Sequence, residues 1–178
     1  MASKLYDVAP LAGLDPAYGL MGAMLEDGTR EWLEEAGRIP AEAIGWQPTP
    51  GGHSIGAVML HIIDVEAYWI EQVSLGRELS PEELRELMSE ETKQYQGQWP
   101  APPPKPWSWY VQLQQRYRRR TMESLKSLGD PASVVHGKSS PTGFTLRWIL
   151  SHVVQHEAYH GGQIVLLKAL WEQRGGGG

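Results

Sequence analysis

His152-Val153-Val154-Gln155-His156-Glu157-Ala158-Tyr159-His160-Gly161-Gly162-Gln163 is the stretch on which the reading of this chain turns. An α-helix advances about 100° per residue, so residues four apart lie about 40° apart on one face. His152, His156, His160 and Gln163 therefore share a stripe, with Ile149 and Tyr159 beside it. Thr145 is placed to cap this helix, and Phe144 before it to pack on Ile149 as a hydrophobic staple. The helix is expected to run to about Glu172. Its histidine stripe includes a face that should meet a core, and burying imidazoles costs free energy unless their nitrogens are satisfied. One metal ion satisfies two histidines at i and i+4, because zinc–nitrogen bonds of about 2.1 Å let both rings converge.

Working outward, helix signals dominate. Asp15 followed by Pro16 reads as an N-cap with proline at the first helical position, and predicts a first helix over 16–37. Residues 39–52 hold three prolines and several glycines, and read as a loop. A second helix is expected from Ser54 to about Leu75. It is apolar on most of its circumference, which implies burial on more than one side. Ser80-Pro81-Glu82-Glu83 starts a short extra helix to about Glu91, with acids in the first turn. The run Pro100-Ala101-Pro102-Pro103-Pro104-Lys105-Pro106 cannot be helix. It reads as a stiff crossover loop rather than a ligand for an aromatic groove. A third helix is predicted over 108–128. Its Arg116, Arg118, Arg119 and Arg120 read as a solvated face rather than a phosphate patch. Ser133 to His136 is a candidate extended piece. The expectation is an all-α protein, an antiparallel four-helix bundle with a Pro-rich crossover loop. Residues 1–174 would form a single domain, and 175–178 a fraying glycine tail.

Composition limits the function. With 178 residues, 41% hydrophobic and 21% charged, the chain suits one soluble domain. No apolar run approaches the roughly 18 residues of a membrane span. The first ten residues lack the basic start and apolar stretch of a secretory signal. With no cysteine there is no disulfide, no thiolate ligand and no cysteine nucleophile. Together these point to a cytoplasmic protein that does not act at a membrane. A net charge of -5 argues against a nucleic-acid binder. Eight tryptophans against one phenylalanine is an unusual aromatic balance.

The second helix supplies a candidate third ligand, His61, on a small, partly polar face with Ser54, Ala57, Asp64 and Tyr68. Three histidines from two helices leave coordination positions open, as in catalytic rather than structural sites. The plainer alternative is a set of hydrogen-bonded core histidines. His152 reads as a supporting or core residue, with a fourth-ligand role as the alternative. Asp64 reads as orienting a ligating ring through its N–H, with direct ligation as the alternative. His53 and His136 fall in predicted loops and read as surface residues. His156-Glu157-Ala158-Tyr159-His160 also fits H-E-x-x-H, in which Glu157 would be the general base on bound water. A zinc-protease reading lacks its downstream third ligand, since Glu172 is the sole carboxylate after His160 and sits on the same helix. Glu157 remains a candidate base for other metal-bound water, with a solvated or supporting glutamate as the alternative.

Two segments resemble a known family. Gly51-Gly52-His53-Ser54-Ile55-Gly56, leading into Leu60-His61-Ile62-Ile63-Asp64-Val65-Glu66-Ala67-Tyr68-Trp69, is similar to the second helix of the DinB/YfiT-like proteins. Thr145-Leu146-Arg147 through His156-Glu157-Ala158-Tyr159-His160-Gly161-Gly162-Gln163-Ile164 is similar to their final helix. An arginine often precedes the glycine–glutamine pair there, and Gly161 stands in that place here. The resemblance implies an up-down-down-up four-helix bundle, often a homodimer, with one divalent metal on His61, His156 and His160. Zinc or nickel, and also iron, manganese or copper, suit imidazole donors. The resemblance further implies a metal-dependent enzyme acting on a small molecule. It would be a thiol S-transferase using a low-molecular-weight thiol, or a hydrolase. The alternatives are a non-catalytic metal- or small-ligand-binding stress-response protein, or an interaction scaffold. For the scaffold or a dimer, the face of Ile55, Met59, Ile62, Trp69, Ile70 and Val73 on the second helix is a candidate surface, if it is not simply core.

Overall fold

Each long helix begins at a residue that can hold the first free N–H groups of its backbone. In the computed structural model, which describes residues 6–138 and 141–174, Asp15 accepts from the Ala17 N–H at 2.8 Å and opens α1 (Pro16–Ala36). A short α2 (Ala41–Ile44) follows, inside the stretch expected to be loop. Ser54 caps α3 (Ile55–Ala67) through the Ala57 N–H. Ser80 and Glu83 form a reciprocal capping box at α4 (Pro81–Leu87). Next come α5 (Trp107–Leu125), the strands β1 (Val134–His136) and β2 (Gly143–Thr145), and α6 (Leu146–Gln173), capped by Thr145 through the Trp148 N–H at 3.2 Å. The strands pair antiparallel, Val135 opposite Phe144, as a clasp leading into α6. The described residues are thus mostly helical, with one two-stranded ribbon, and none of the helices is long and apolar enough to cross a membrane.

Two expectations of helix extent need correction. The second helix does not stay α-helical to Leu75. It changes to a π-helical segment over Tyr68–Ser74, which widens each turn and shifts Tyr68 and Trp69 relative to a continuous α-helix. The helix starting at Ser80 stops at Leu87 rather than near Glu91, because Met88 adopts a left-handed backbone at φ 55°. Phe144, before the Thr145 cap, packs against the cluster that contains Ile149, and it also stacks on Trp148, with ring centroids 5.0 Å apart, and meets Trp69 edge-on. The expected fraying of 175–178 lies outside the described residues.

The helix α3 packs on both α5 and α6, and α6 packs on α1. The core lies at two levels. One cluster holds Tyr18 and Leu25 of α1, Ile70 and Val73, Leu125 of α5, and Leu146, Ile149, Leu150 and Val153 of α6. The other holds Trp32 and Ala36 of α1, most of α3, Tyr110, Leu113 and Tyr117 of α5, and Ile164 and Leu167 of α6. Ile55, Met59, Ile62, Ile70 and Val73 are all buried in these clusters, so this face is core within the chain. Between the levels each long helix contributes a buried polar residue: Thr29, Glu66, Arg118 and Glu157.

Arg118 corrects the reading of a solvated arginine face. It is only 7% exposed. Its guanidinium donates to both carboxylate oxygens of Glu66, at 2.9 and 3.0 Å, and to Thr29 at 2.8 Å, and it is also paired with Glu157. Burial works against its charge, but the two carboxylates outweigh that and raise its pKa. Arg120 is drawn in as well, reaching the buried Glu71 at 2.6 Å and Glu83 at 2.5 Å.

The Pro-rich crossover is tied down rather than loose. Pro102 rests on the start of α3, where a Cβ on Gly56 would lie 2.8 Å from both Pro102 and Ile44. Only glycine allows that approach. The Tyr110 hydroxyl donates to the Pro103 carbonyl, and the Trp99 N–H donates to the Gly51 carbonyl at 3.1 Å.

Candidate metal centre

The capped start of α3 fixes His61 two turns into the helix, and the i, i+4 spacing on α6 sets His156 and His160 on one face opposite it. The three rings meet. The Nε2 atoms of His61 and His156 are 3.1 Å apart. One ligand atom from each of the three histidines lies within 4.8 Å of the others. Two nitrogens bound to one ion at about 2.1 Å, with tetrahedral to octahedral angles, sit about 3.0–3.4 Å apart. The His61–His156 separation falls in that range.

The side chain of Gln163, one turn beyond His160, fixes the third ring. His160 Nδ1 lies 2.7 Å from Gln163 Oε1, so the Nδ1–H donates to the amide oxygen and leaves the lone pair on Nε2. Electrostatics keep all three rings neutral. Burial lowers the His61 pKa to about 4, helped by His160 and opposed by a hydrogen bond that the ring donates to Gln94. Burial and the neighbouring imidazoles of His160, His61 and His152 push His156 down to about 2. His160 is lowered too, by burial, against the bond to Gln163. Neutral imidazole with a free lone pair is the form that binds metals. On donor chemistry, tautomer and spacing, these residues could hold one divalent ion.

The histidines form the inner wall of a cleft of about 710 Å³. Val65, Tyr68 and Trp69 line one side, His152 and Tyr159 another, and Thr92 to Gln96 the third. That third wall was not foreseen in the sequence. It is a short 3₁₀ turn, Gln94–Gln96, closed by mutual backbone bonds between Lys93 and Gln98. Behind it Trp99 packs edge-on against His61, centroid to centroid 5.2 Å. His53, expected at the surface, is partly buried against Trp99 at 4.2 Å, and burial lowers its pKa. The tryptophan excess thus has a local use, with Trp99 packing on His61 and His160, and Trp69 and Trp148 on His152 at the cleft edge. The only advance signal was the presence of Tyr95 and Trp99 in a segment otherwise polar or proline-rich.

The remaining candidates fall elsewhere. His152 lies over Trp148 with the rings 5° from parallel, at the edge of the cleft, its ring 6.0 Å from that of His156. Asp64 lines the cleft, but its carboxylate accepts from the Ser89 hydroxyl at 2.5 Å, and burial raises its pKa against that bond. His136 is exposed on β1. Glu157 is not brought to the histidines. It points to the other side of α6, where it accepts from Trp32 Nε1 at 3.2 Å and is bonded to Thr29 and Arg118. Burial raises its pKa, and Arg118 acts against that. Helix geometry explains the separation, since adjacent residues lie about 100° apart. Gly161 has a reason here as well. A Cβ there would lie 2.6 Å from the Trp32 ring, so no side chain fits where the resembling family often carries arginine.

The DinB superfamily's sequence profile matches residues 24–164, which include α3 and all three histidines of the site. The chain belongs to the DinB superfamily. No curated protein matches it.

Proposed function

We propose that this DinB-superfamily protein is a metal-dependent enzyme in which a low-molecular-weight thiol attacks a small electrophile. The observation that carries the reading is the composition of the cleft's inner wall: three neutral imidazoles, with both nearby carboxylates engaged elsewhere. A divalent ion bound there would supply Lewis acidity and lower the pKa of a thiol brought to it. The chain has no cysteine, so the sulfur nucleophile would come with the cofactor. The thiol loses its proton to solvent water, its sulfur bonds to an electrophilic carbon, and the leaving group departs with its bonding pair. His61, His156 and His160 would hold the ion, with Gln163 and Gln94 orienting the His160 and His61 rings and Trp99 packed on His61. Glu157 anchors α6 rather than serving as a base.

We also propose that the four long helices run up-down-down-up. The order in which each meets the two core levels supports this. Passing along the chain, α1 and α6 go from the Tyr18 level to the Trp32 level, whereas α3 and α5 go the opposite way.

Asp64 favours a second reading. A cleft carboxylate with a raised pKa suits proton transfer to or from a water, and so hydrolysis. Incubating zinc- or nickel-loaded protein with a panel of thiols and alkylating electrophiles separates the two. Thiol-dependent product, lost in His156→Ala and kept in Asp64→Asn, is the expected result. Turnover that needs Asp64 and no thiol would establish the hydrolase. Metal binding without any turnover would establish a binding protein.

A further inference from the structure

The outer part of the cleft is built differently from its histidine wall. Tyr68, Tyr95 and Tyr159 are 42%, 96% and 65% exposed, although rings of this size are normally covered. All three line the same opening, from three separate elements. Clustered exposed apolar surface around a cleft marks a binding site. Two of the three rings are also braced. Tyr68 meets Trp69 edge-on at 5.3 Å, Trp69 is itself held by Phe144 and Trp148, and Tyr159 meets His160 edge-on at 4.7 Å. Val65 is the sole aliphatic side chain lining the cleft among the described residues, so its walls offer π-faces. Lys93 stands on the rim and has no carboxylate partner among the described residues.

Resting on the reading of a thiol-transfer site, we infer that the electrophile accepted here is a flat aromatic molecule that carries a carboxylate besides its electrophilic carbon and leaving group, its ring held among Tyr68, Tyr95 and Tyr159 and its carboxylate toward Lys93. An aromatic cage also suits an organic cation, but Lys93 opposes one. Asp64, the one carboxylate in the cleft, is committed to Ser89. A divalent ion on three uncharged donors would further repel a cation and attract an anion.

Isothermal titration tests this with four probes: 2-naphthoate, neutral 2-naphthylmethanol, saturated decahydro-2-naphthoate, and benzyltrimethylammonium. Each is run on zinc-loaded and chelator-treated protein and on His156→Ala. The expected order places 2-naphthoate at least about tenfold tighter than the others. Tyr95→Ala and Tyr159→Ala should each weaken it roughly two- to tenfold. Lys93→Gln should bring naphthoate and naphthylmethanol closer together by about two- to fivefold. The preference for the flat ring should persist in His156→Ala, so the inference can be judged even if zinc fails to bind and the metal reading falls. Equal affinity for the saturated analogue, tighter binding of the ammonium probe, or indifference to both tyrosine variants would overturn it. So would naphthoate binding that requires zinc and ignores Lys93→Gln, which would put the carboxylate on the ion.

Discussion

Two buried polar clusters lie on neighbouring faces of α6, one residue apart in sequence, and they are satisfied in opposite ways. On one face Glu157, Arg118, Glu66 and Thr29 use one another's donors and acceptors and close on themselves between the two core levels. On the other, His61, His156 and His160 bring uncharged nitrogens together at the wall of an open cleft. A closed network has nothing left to offer a ligand, and its contribution is to stability and register. Convergent lone pairs beside a cleft do have something to offer. Burial alone does not distinguish them, since Glu157 and His160 are almost equally covered.

The comparison breaks first at Arg118. Arg118→Ala would leave two carboxylates buried without a partner and should cost about 3–5 kcal/mol in denaturant unfolding. A loss below about 1 kcal/mol would mean that the network is looser than described. Glu157→Gln keeps the shape but weakens the charge pairing, and a cost of about 1–3 kcal/mol with unchanged metal content is expected. Loss of metal in that variant would join the two clusters functionally. On the other face, Gln163→Ala frees the His160 ring, and zinc affinity should fall about 10- to 100-fold without unfolding.

Acid should separate the clusters further. His61 and His156 titrate in the fold at about 4 and about 2, below the 6.5 of an ordinary histidine. Between these values the unfolded chain binds more protons, so stability is complete above 6.5 and declines as pH falls below it. Urea titrations of metal-free protein from pH 7.5 to 4.5 should show this decline, and it should shrink in His61→Ala. Smallest of all, His152→Ala should change stability by less than about 0.5 kcal/mol and leave metal binding intact, because its ring lies at the cleft edge on Trp148.

The sequence makes some of this legible and hides the rest for physical reasons. Local signals are readable because their causes are local. Asp15 and Thr145 cap the helices they were expected to cap, Ser54 and Ser80 stand at the expected starts of theirs and cap them, and the histidine spacing on α6 is fixed by helix geometry alone. Ser133 to His136 does hold a short strand. Arg118 misled because its burial is decided by Glu66 and Glu157, 52 and 39 residues away. Four arginines within five residues look alike until partners from other helices select one. Tyr68 and Trp69 were placed on a plain α-helix, whereas the π-helical segment changes their register, and no proline or glycine there announces it. The 3₁₀ turn that closes the cleft is a tertiary feature, anchored through Trp99 on Gly51 and the histidines.

The central claim is that His61, His156 and His160 together hold one divalent ion while Glu157 does not take part. Metal content measured on untagged protein, purified without chelator and supplied with one equivalent of zinc or nickel, tests it most directly. The account predicts close to one ion per chain in the wild type and in Glu157→Gln, and almost none in His61→Ala, His156→Ala or His160→Ala. A wild type that retains no metal, or histidine variants that retain it in full, would contradict the account and leave the three rings as a hydrogen-bonded part of the core.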